Sequence, residues 1–143
     1  MLSIYPACFF READGGYSVV FPDLNYLATQ GETLEMAMEM AVDCLAGYLY
    51  TCQKDGDEIP KPSKLSDISS AKVAQELDPD APAGESFVNM VSVDVKAYAK
   101  EHFEKSVKKT LSIPAWLNAA AIEHNINFSQ LLQEALKKEL HLG

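Results

Sequence analysis

The chain has 143 residues, 48% of them hydrophobic, and a formal net charge of −9 at pH 7. This length accommodates one compact domain and a small additional unit, and the negative charge argues against nonspecific nucleic-acid binding by the molecule as a whole. We find no apolar run of membrane-spanning length and no leader-like opening segment, so we expect no membrane partner. Cys8, Cys44 and Cys52 show no metal-type spacing, which favours free thiols in a cytoplasmic protein.

The first thirty residues have the pattern of an antiparallel meander. Residues 4–10 and 17–21 are apolar and predict two hairpin arms, joined at Asp14-Gly15-Gly16, where both glycines accept a positive φ. Pro6 places the first arm near an edge or a bulge. A short third strand is predicted at residues 26–29, after Pro22-Asp23 and before Gly31.

A long amphipathic helix follows the meander. Thr33 is a suitable N-cap, and apolar residues then recur at spacings of four and three, which predicts a helix lying across the three strands. The methionines are also compatible with an adaptable binding face, but methionine at helical spacing is more typical of a core. The stripe consists of Leu34, Met38, Ala41, Leu45, Tyr48 and Cys52.

The next segment predicts a loop and a return to the sheet. Residues 63–84 are polar and predict a loop with at most a short helix near residues 71–77, and residues 87–95 predict a fourth strand. Residues 96–105 are charged and predict a connector. The fold class is therefore α+β, with the order βββαβ and one helix covering an antiparallel sheet.

The C-terminal residues 107–140 form a second pattern. Leu111 and Ile113 alternate with Lys108, Thr110 and Ser112, which predicts a short strand with one apolar and one polar face. Pro114 then starts a helix.

That helix is predicted to end near Asn125, a residue type that tolerates left-handed backbone. Asn127 is the predicted N-cap of the last helix, with Gln130 as its capping-box partner. The apolar stripe of this last helix consists of Leu131, Leu132, Ala135, Leu136 and Leu140.

One strand and two helices cannot bury this apolar surface alone, and the strand has no partner within the segment. A two-fold homodimer meets both requirements, because the strands then pair and four helices cover their apolar face. The polar face becomes a two-stranded ribbon, which fits the DNA major groove. The alternative is a plain C-terminal helical hairpin with a solvated strand.

The strand-Pro-helix-Asn-helix order resembles the ribbon-helix-helix repressors. The resemblance implies that Lys108, Thr110 and Ser112 read bases in operator DNA. It also implies that the backbone at Asn127, Phe128 and Ser129 holds a phosphate at the helix N-terminus.

The N-terminal part resembles the HicB-type antitoxins. The resemblance is carried by Asp14-Gly15-Gly16-Tyr17, Phe21-Pro22-Asp23-Leu24, the TQGETLEMA run at residues 29–37 and the DGDEIPKPS run at residues 55–63. It implies a partial RNase H-like sheet that binds a HicA-like toxin, a small basic ribonuclease that cleaves mRNA, and a complex that represses its own operon.

The implied organisation has three parts. Residues 1–95 form a toxin-binding domain, residues 96–105 the connector, and residues 106–143 a ribbon-helix-helix domain for dimerisation and DNA binding. Residues 1–105 hold 8 Lys/Arg and 18 Asp/Glu, net −10, whereas residues 106–143 are net +1. An acidic domain of this kind attracts a basic protein, and its expected contact residues, at one end of the sheet, are Asp14, Asp23 and Glu32.

We expect no enzyme activity, no metal and no cofactor. RNase H chemistry requires clustered carboxylates, one of them in the first strand, and residues 4–10 contain none. His102, His124 and His141 have no nucleophile partner at a suitable spacing. The open alternatives are a stand-alone repressor whose N-terminal domain senses a small ligand, and, more remotely, a metal-dependent hydrolase.

Overall fold

The computed structural model describes residues 1–82 and 84–142. The chain divides into two units, Met1–Lys105 and Ser106–Gly143, which are considered separately below. The predicted loop at residues 63–84 and the predicted C-terminal domain each contain one residue, Ala83 and Gly143, that lies outside the described residues.

The first unit contains a four-stranded antiparallel sheet with the strand order β3-β2-β1-β4. Cys8 in the centre pairs with Val20 on one side and with Val88 on the other. The predicted α+β class and the four strands are confirmed. The strands are β1 (Ser3–Arg11), β2 (Tyr17–Phe21), β3 (Leu27–Gly31) and β4 (Ser86–Val93).

Pro6 lies in β1, where a proline is unusual because it cannot donate to a ladder. β1 pairs with β4 from Ser3 to Phe10, but it pairs with β2 only from Cys8 to Arg11. Pro6 therefore occupies the part of β1 that has a partner strand on one side only, which agrees with its predicted position near an edge.

One face of the sheet packs against α1 (Leu34–Asp55). The Thr33 hydroxyl caps this helix by accepting a hydrogen bond of 3.1 Å from the Met36 N–H, and Gly56 ends it with φ 72°. Most of the predicted stripe is buried or half-buried, but Leu34 is 44% exposed. The fully buried core residues on this side include Phe9, Val19, Phe21, Ala37, Ala41 and Leu45.

Gly31 at the end of β3 explains both the close approach of α1 and the exposure of Leu34. A Cβ at Gly31 would lie 2.3 Å from the Ala37 nitrogen, so only glycine lets the helix backbone rest on the strand. Because Ala37 already sits at the last residue of β3, the side chain one turn earlier, Leu34, extends past the strand. The prediction that Leu34 belongs to the core is wrong for this reason.

The prediction of a single covering helix is also wrong, because α2 (Ser70–Leu77) packs on the opposite face of the sheet. Its one buried residue, Val73, forms a second apolar cluster with Cys8 and Val20. Residues on alternating positions of β1 and β2 thus face two different helix layers.

The predicted connector is largely a helix, α3 (Val95–His102), which packs against α1 within the first unit. Asp94 caps it by accepting from the Ala97 N–H at 3.1 Å. Val95 and Ala99 are buried, and the Tyr98 hydroxyl donates to Asp43 at 2.8 Å. The sequence of α3 did not predict a helix, because only Val95, Tyr98 and Ala99 face inward and the other residues are mostly charged.

The second unit contains α4 (Ala115–Glu123) and α5 (Phe128–Glu139). The two predicted asparagine roles are confirmed: Asn125 has φ 54°, and the Asn127 side chain accepts from the Gln130 N–H at 3.1 Å. Residues 105–114 have no regular secondary structure. The predicted strand in this stretch needs a second copy as its hydrogen-bonding partner, so it stays a prediction.

Candidate protein and nucleic-acid interfaces

The second unit has no interior of its own. Among residues 106–142, every side chain is exposed except those of Ala120 and Ala121, which are half-buried. Leu111 is 59% exposed and Trp116 is 73% exposed. Contiguous apolar surface of this kind is typical of an interaction site, so this unit is a candidate interface.

The exposed apolar residues converge on one open groove between α4 and α5. Both helices contribute, and the segment before α4 contributes Ile113, one of the two apolar positions of the predicted strand. The residues lining the groove are Ile113, Leu117, Ala120, Ala121, His124, Ile126, Phe128 and Leu131.

The predicted base-reading residues, Lys108, Thr110 and Ser112, are all exposed. The predicted phosphate site lies at the start of the twelve-residue helix α5. The Asn127 side chain accepts a hydrogen bond from the Gln130 N–H. The N–H groups of the first helical residues, Phe128 and Ser129, have no acceptor within the helix. These groups point along the helix axis with the positive end of its dipole, as an anion site requires.

The three predicted toxin-contact acids do not lie together. Asp14 and Glu32 are neighbours: a Cβ on Gly16 would lie 3.2 Å from the Asp14 carboxylate and 3.5 Å from the Glu32 Cα. Asp14 precedes the five-residue strand β2, whereas Asp23 follows its other end. The expectation that all three share one end of the sheet is therefore wrong, because β2 separates them.

Asp23 is engaged inside the first unit. Its two carboxylate oxygens accept hydrogen bonds from the backbone N–H and the hydroxyl of Ser63, each at 2.7 Å. The neighbouring Pro60 carbonyl accepts from the Tyr5 hydroxyl. The segment after α1 is thus tied to the turn after β2, so residues from two of the sequence motifs are in direct contact.

On the outer face of α1, two methionines differ from the core role that is typical of methionine at helical spacing. Met38 is half-buried against the core, as methionine at helical spacing predicts. In contrast, Met36 and Met40 are 45% and 43% exposed. The sequence indicates this exposure, because Met36 and Met40 lie outside the apolar stripe with spacings of four and three that forms the core.

Several titratable groups of the first unit have pKa values raised by their surroundings. Within residues 1–82 and 84–142, no three His, Cys, Asp or Glu side chains are close enough to hold a metal ion. Burial raises the pKa of the Cys8 thiol to about 11 and also raises the pKa of Cys44, so both resist conversion to the nucleophilic thiolate. Burial and the bond to Asp43 raise the pKa of Tyr98 to about 12.

Within the described part of the chain, no helix is both long enough and apolar enough to span a bilayer. The longest helix, α1, packs Ala37, Ala41 and Leu45 against the sheet.

The sequence matches a protein family over residues 5–136, and that family is described as the HicB_like antitoxin of bacterial toxin-antitoxin systems. The chain belongs to this family. The match covers both structural units, including α4 and nine of the twelve residues of α5.

Individual relatives align with less than half of the HicB-like chain. Antitoxin HicB 1 of Photorhabdus laumondii is 41% identical over 61 residues, which are 43% of this chain and 39% of that protein. Antitoxin HicB of Escherichia coli K12 is 40% identical over 62 residues, 43% of this chain and 45% of that protein. The match thus spans less than half the length of either curated relative.

Two solved structures resemble the HicB-like chain along nearly its full length. A toxin-antitoxin complex from Streptococcus pneumoniae contains a chain with 34% identity and a TM-score of 0.66, covering 97% of this chain and 99% of that one. The antitoxin HicB of Burkholderia pseudomallei has 20% identity and a TM-score of 0.50, with 96% of each chain covered, and supports the fold alone.

Proposed function

We propose that this chain is the antitoxin of a type II toxin-antitoxin pair. It binds a HicA-like ribonuclease that cleaves mRNA, blocks access of RNA to the ribonuclease, and represses its own operon as a homodimer on operator DNA. The observation that carries the proposal is the family match over residues 5–136. The RNase H-like kinship of the sheet and the ribbon-helix-helix identity of the second unit are parts of the same proposal.

Toxin inhibition is assigned to the first unit. Its net charge of −10 complements a basic RNA-binding surface, so long-range attraction raises the association rate. Inhibition itself is steric, because the acidic domain occupies the surface that RNA would use. Asp14 and Glu32 lie close enough to act on one basic region, whereas Asp23 would act at the other end of β2.

Repression is assigned to the second unit. Pairing with a second copy would bury the groove of α4 and α5 and place residues 107–113 of the two chains side by side. Lys108, Thr110 and Ser112 would then face the major groove, and the two α5 N-termini at Asn127 would each hold a backbone phosphate. The partners are therefore the toxin, operator DNA and a second copy of this chain, and no cofactor or catalytic residue is assigned.

The decisive experiment is co-expression with the adjacent gene. We expect a small basic protein to copurify with this chain, and we expect the chain to rescue growth when that protein is induced. Failure of both results would refute the antitoxin function. Raising salt to about 0.5 M shortens the screening length to about 4 Å, so an unchanged association rate would remove the electrostatic part.

Self-association is tested by two alanines on opposite sides of α4. Ala121 is half-buried in the groove, whereas Ala119 is exposed outside it. Ala121→Lys should give a monomer in sedimentation and lose operator binding, while Ala119→Lys should keep both. Equal behaviour of the two variants would mean that the groove is not the contact surface.

A further inference from the structure

We infer that the toxin docks on the outer face of the N-terminal half of α1, where Met36 and Met40 form an apolar centre and Glu32, Glu35 and Glu39 lie near it in the chain. These five residues are called the α1 patch. The inference rests on the proposed function and adds the surface through which it acts.

The apolar centre is exposed although the helix itself is firmly packed. Met36 and Met40 are 45% and 43% exposed. They are one turn apart and therefore adjacent on the helix surface. Ala37, which follows Met36 in the sequence, is fully buried against the sheet. The two methionines thus offer an apolar contact whose shape adapts to a partner.

The patch is held rigidly. Gly31 lets the backbone of Met36 and Ala37 rest on the end of β3, and Thr33 caps the first turn. A partner that docks here therefore orders few new backbone torsions, which lowers the free-energy cost of association.

The charge around the patch selects the occupant. Residues 12–53 contain seven Asp or Glu and no Lys or Arg. Glu32, Glu35 and Glu39 are all exposed, and Asp43 in the next turn is engaged by Tyr98. A second copy of this chain would bring the same acids and be repelled, as would a nucleic acid. A protein with basic side chains around an apolar contact is complementary, and the toxin of the proposed function has this chemistry.

The test compares two pairs of substitutions that change charge and apolar surface equally. Met36→Lys with Met40→Lys alters the α1 patch. Leu65→Lys with Leu77→Lys alters two side chains that are 41% and 51% exposed, in the 3-10 turn before α2 and at the end of α2. The affinity of each full-length variant for a catalytically inactive form of the copurified toxin is measured by calorimetry, and its melting temperature confirms folding.

We expect the methionine pair to weaken toxin binding by about 100-fold, as loss of central contacts does, and the leucine pair to change it by about threefold or less. Equal effects of the two pairs, or loss of self-association with toxin affinity retained, would overturn the inference but leave the proposed function standing. No binding by the unaltered chain would instead refute the proposed function.

Hydrogen exchange of the unaltered complex gives a second measurement that needs no variant. Amides of residues 34–42 should become more protected on toxin binding, while those of residues 70–77 in α2 should not. Protection confined to α2 would place the toxin on the other face of the sheet and contradict the inference.

Discussion

Asp23 and Ser63, forty residues apart, are joined by two hydrogen bonds of 2.7 Å each, one from the Ser63 N–H and one from its hydroxyl. Both groups are half-buried, and bonds to a carboxylate are stronger than bonds between neutral groups. This pair fixes the segment that leaves α1 against the turn that follows β2.

Asp23→Ala should therefore destabilise the first unit by about 1–3 kcal/mol, because it leaves two donors without their acceptor. For a domain of this size, each kcal/mol lowers the melting temperature by about 4–8 °C, which circular dichroism measures. Asp57→Ala is the matched control, since it removes an equally charged but exposed side chain from the same segment. Equal melting temperatures for the two variants would contradict a structural role for Asp23.

Gly31 and Gly47 predict opposite effects of the same substitution. Gly31→Ala would place a Cβ 2.3 Å from the Ala37 nitrogen, so the strand and helix must separate, at a loss of about 2–4 kcal/mol in the free energy of unfolding. Gly47 lies within α1, and the nearest atom to a Cβ there is Phe103 Cζ at 3.9 Å. Gly47→Ala should instead stabilise by about 0.5–1 kcal/mol. Chemical denaturation of both variants checks the difference in sign.

Tyr98 predicts a specific loss of stability at alkaline pH. Burial and the bond to Asp43 raise the pKa of its hydroxyl to about 12, against a model-peptide value near 10. Because the folded-state pKa is the higher one, the stabilisation is complete below about pH 10 and is lost as the pH rises towards 12. The stability difference between the unaltered chain and Tyr98→Phe should therefore shrink over this interval.

Ultraviolet titration of tyrosinate provides the companion measurement. The pKa values of Tyr5 and Tyr26 are also raised, but Tyr98 should be the last tyrosine to ionise in the unaltered chain. This last step should be missing in Tyr98→Phe. In Asp43→Asn the carboxylate charge is removed while an acceptor remains, so the late step should move to lower pH. A late step that persists in Tyr98→Phe would assign it to another tyrosine.

Two consecutive lysines test the proposed reading face. Lys108→Ala should weaken operator binding by about 1–3 kcal/mol, or roughly 5- to 150-fold, because a base contact is lost. In the predicted strand, Lys109 would occupy the alternate position, on the face of Leu111 and Ile113. Lys109→Ala removes the same charge but should reduce affinity for operator and scrambled duplex alike. A gel shift with both duplexes separates the cases, and identical profiles would remove Lys108 from the reading face.

Local signals predicted local structure well. Asn125 and Asn127 specify a left-handed residue and an N-cap through their own side chains and backbone preferences, and Thr33 does the same for α1. The strands β1 to β4 follow from alternation and turn residues. These features depend on neighbours within a few positions, which the sequence displays directly.

Features set by distant contacts were missed or misplaced. α3 contributes only Val95 and Ala99 to the interior, so its charged sequence gave no stripe to detect. The layer formed by α2 depends on Val73 meeting Cys8 and Val20, a contact between segments more than fifty residues apart. Asp14 and Asp23 were grouped because both occur at turns, yet the direction of β2 places them at opposite ends.

In the proposed homodimer, the exposed apolar groove of the second unit would make the folding of that unit depend on protein concentration. A chain segment whose interior is completed only by another molecule obeys mass action, so its ordered fraction rises as copies accumulate. In the proposed dimer, the protein concentration would thus determine the fraction of operator sites that are occupied. The first unit has its own hydrophobic core, so its folding would not depend on concentration. One polypeptide would thereby combine a unit whose folding depends on protein concentration with a unit whose folding does not.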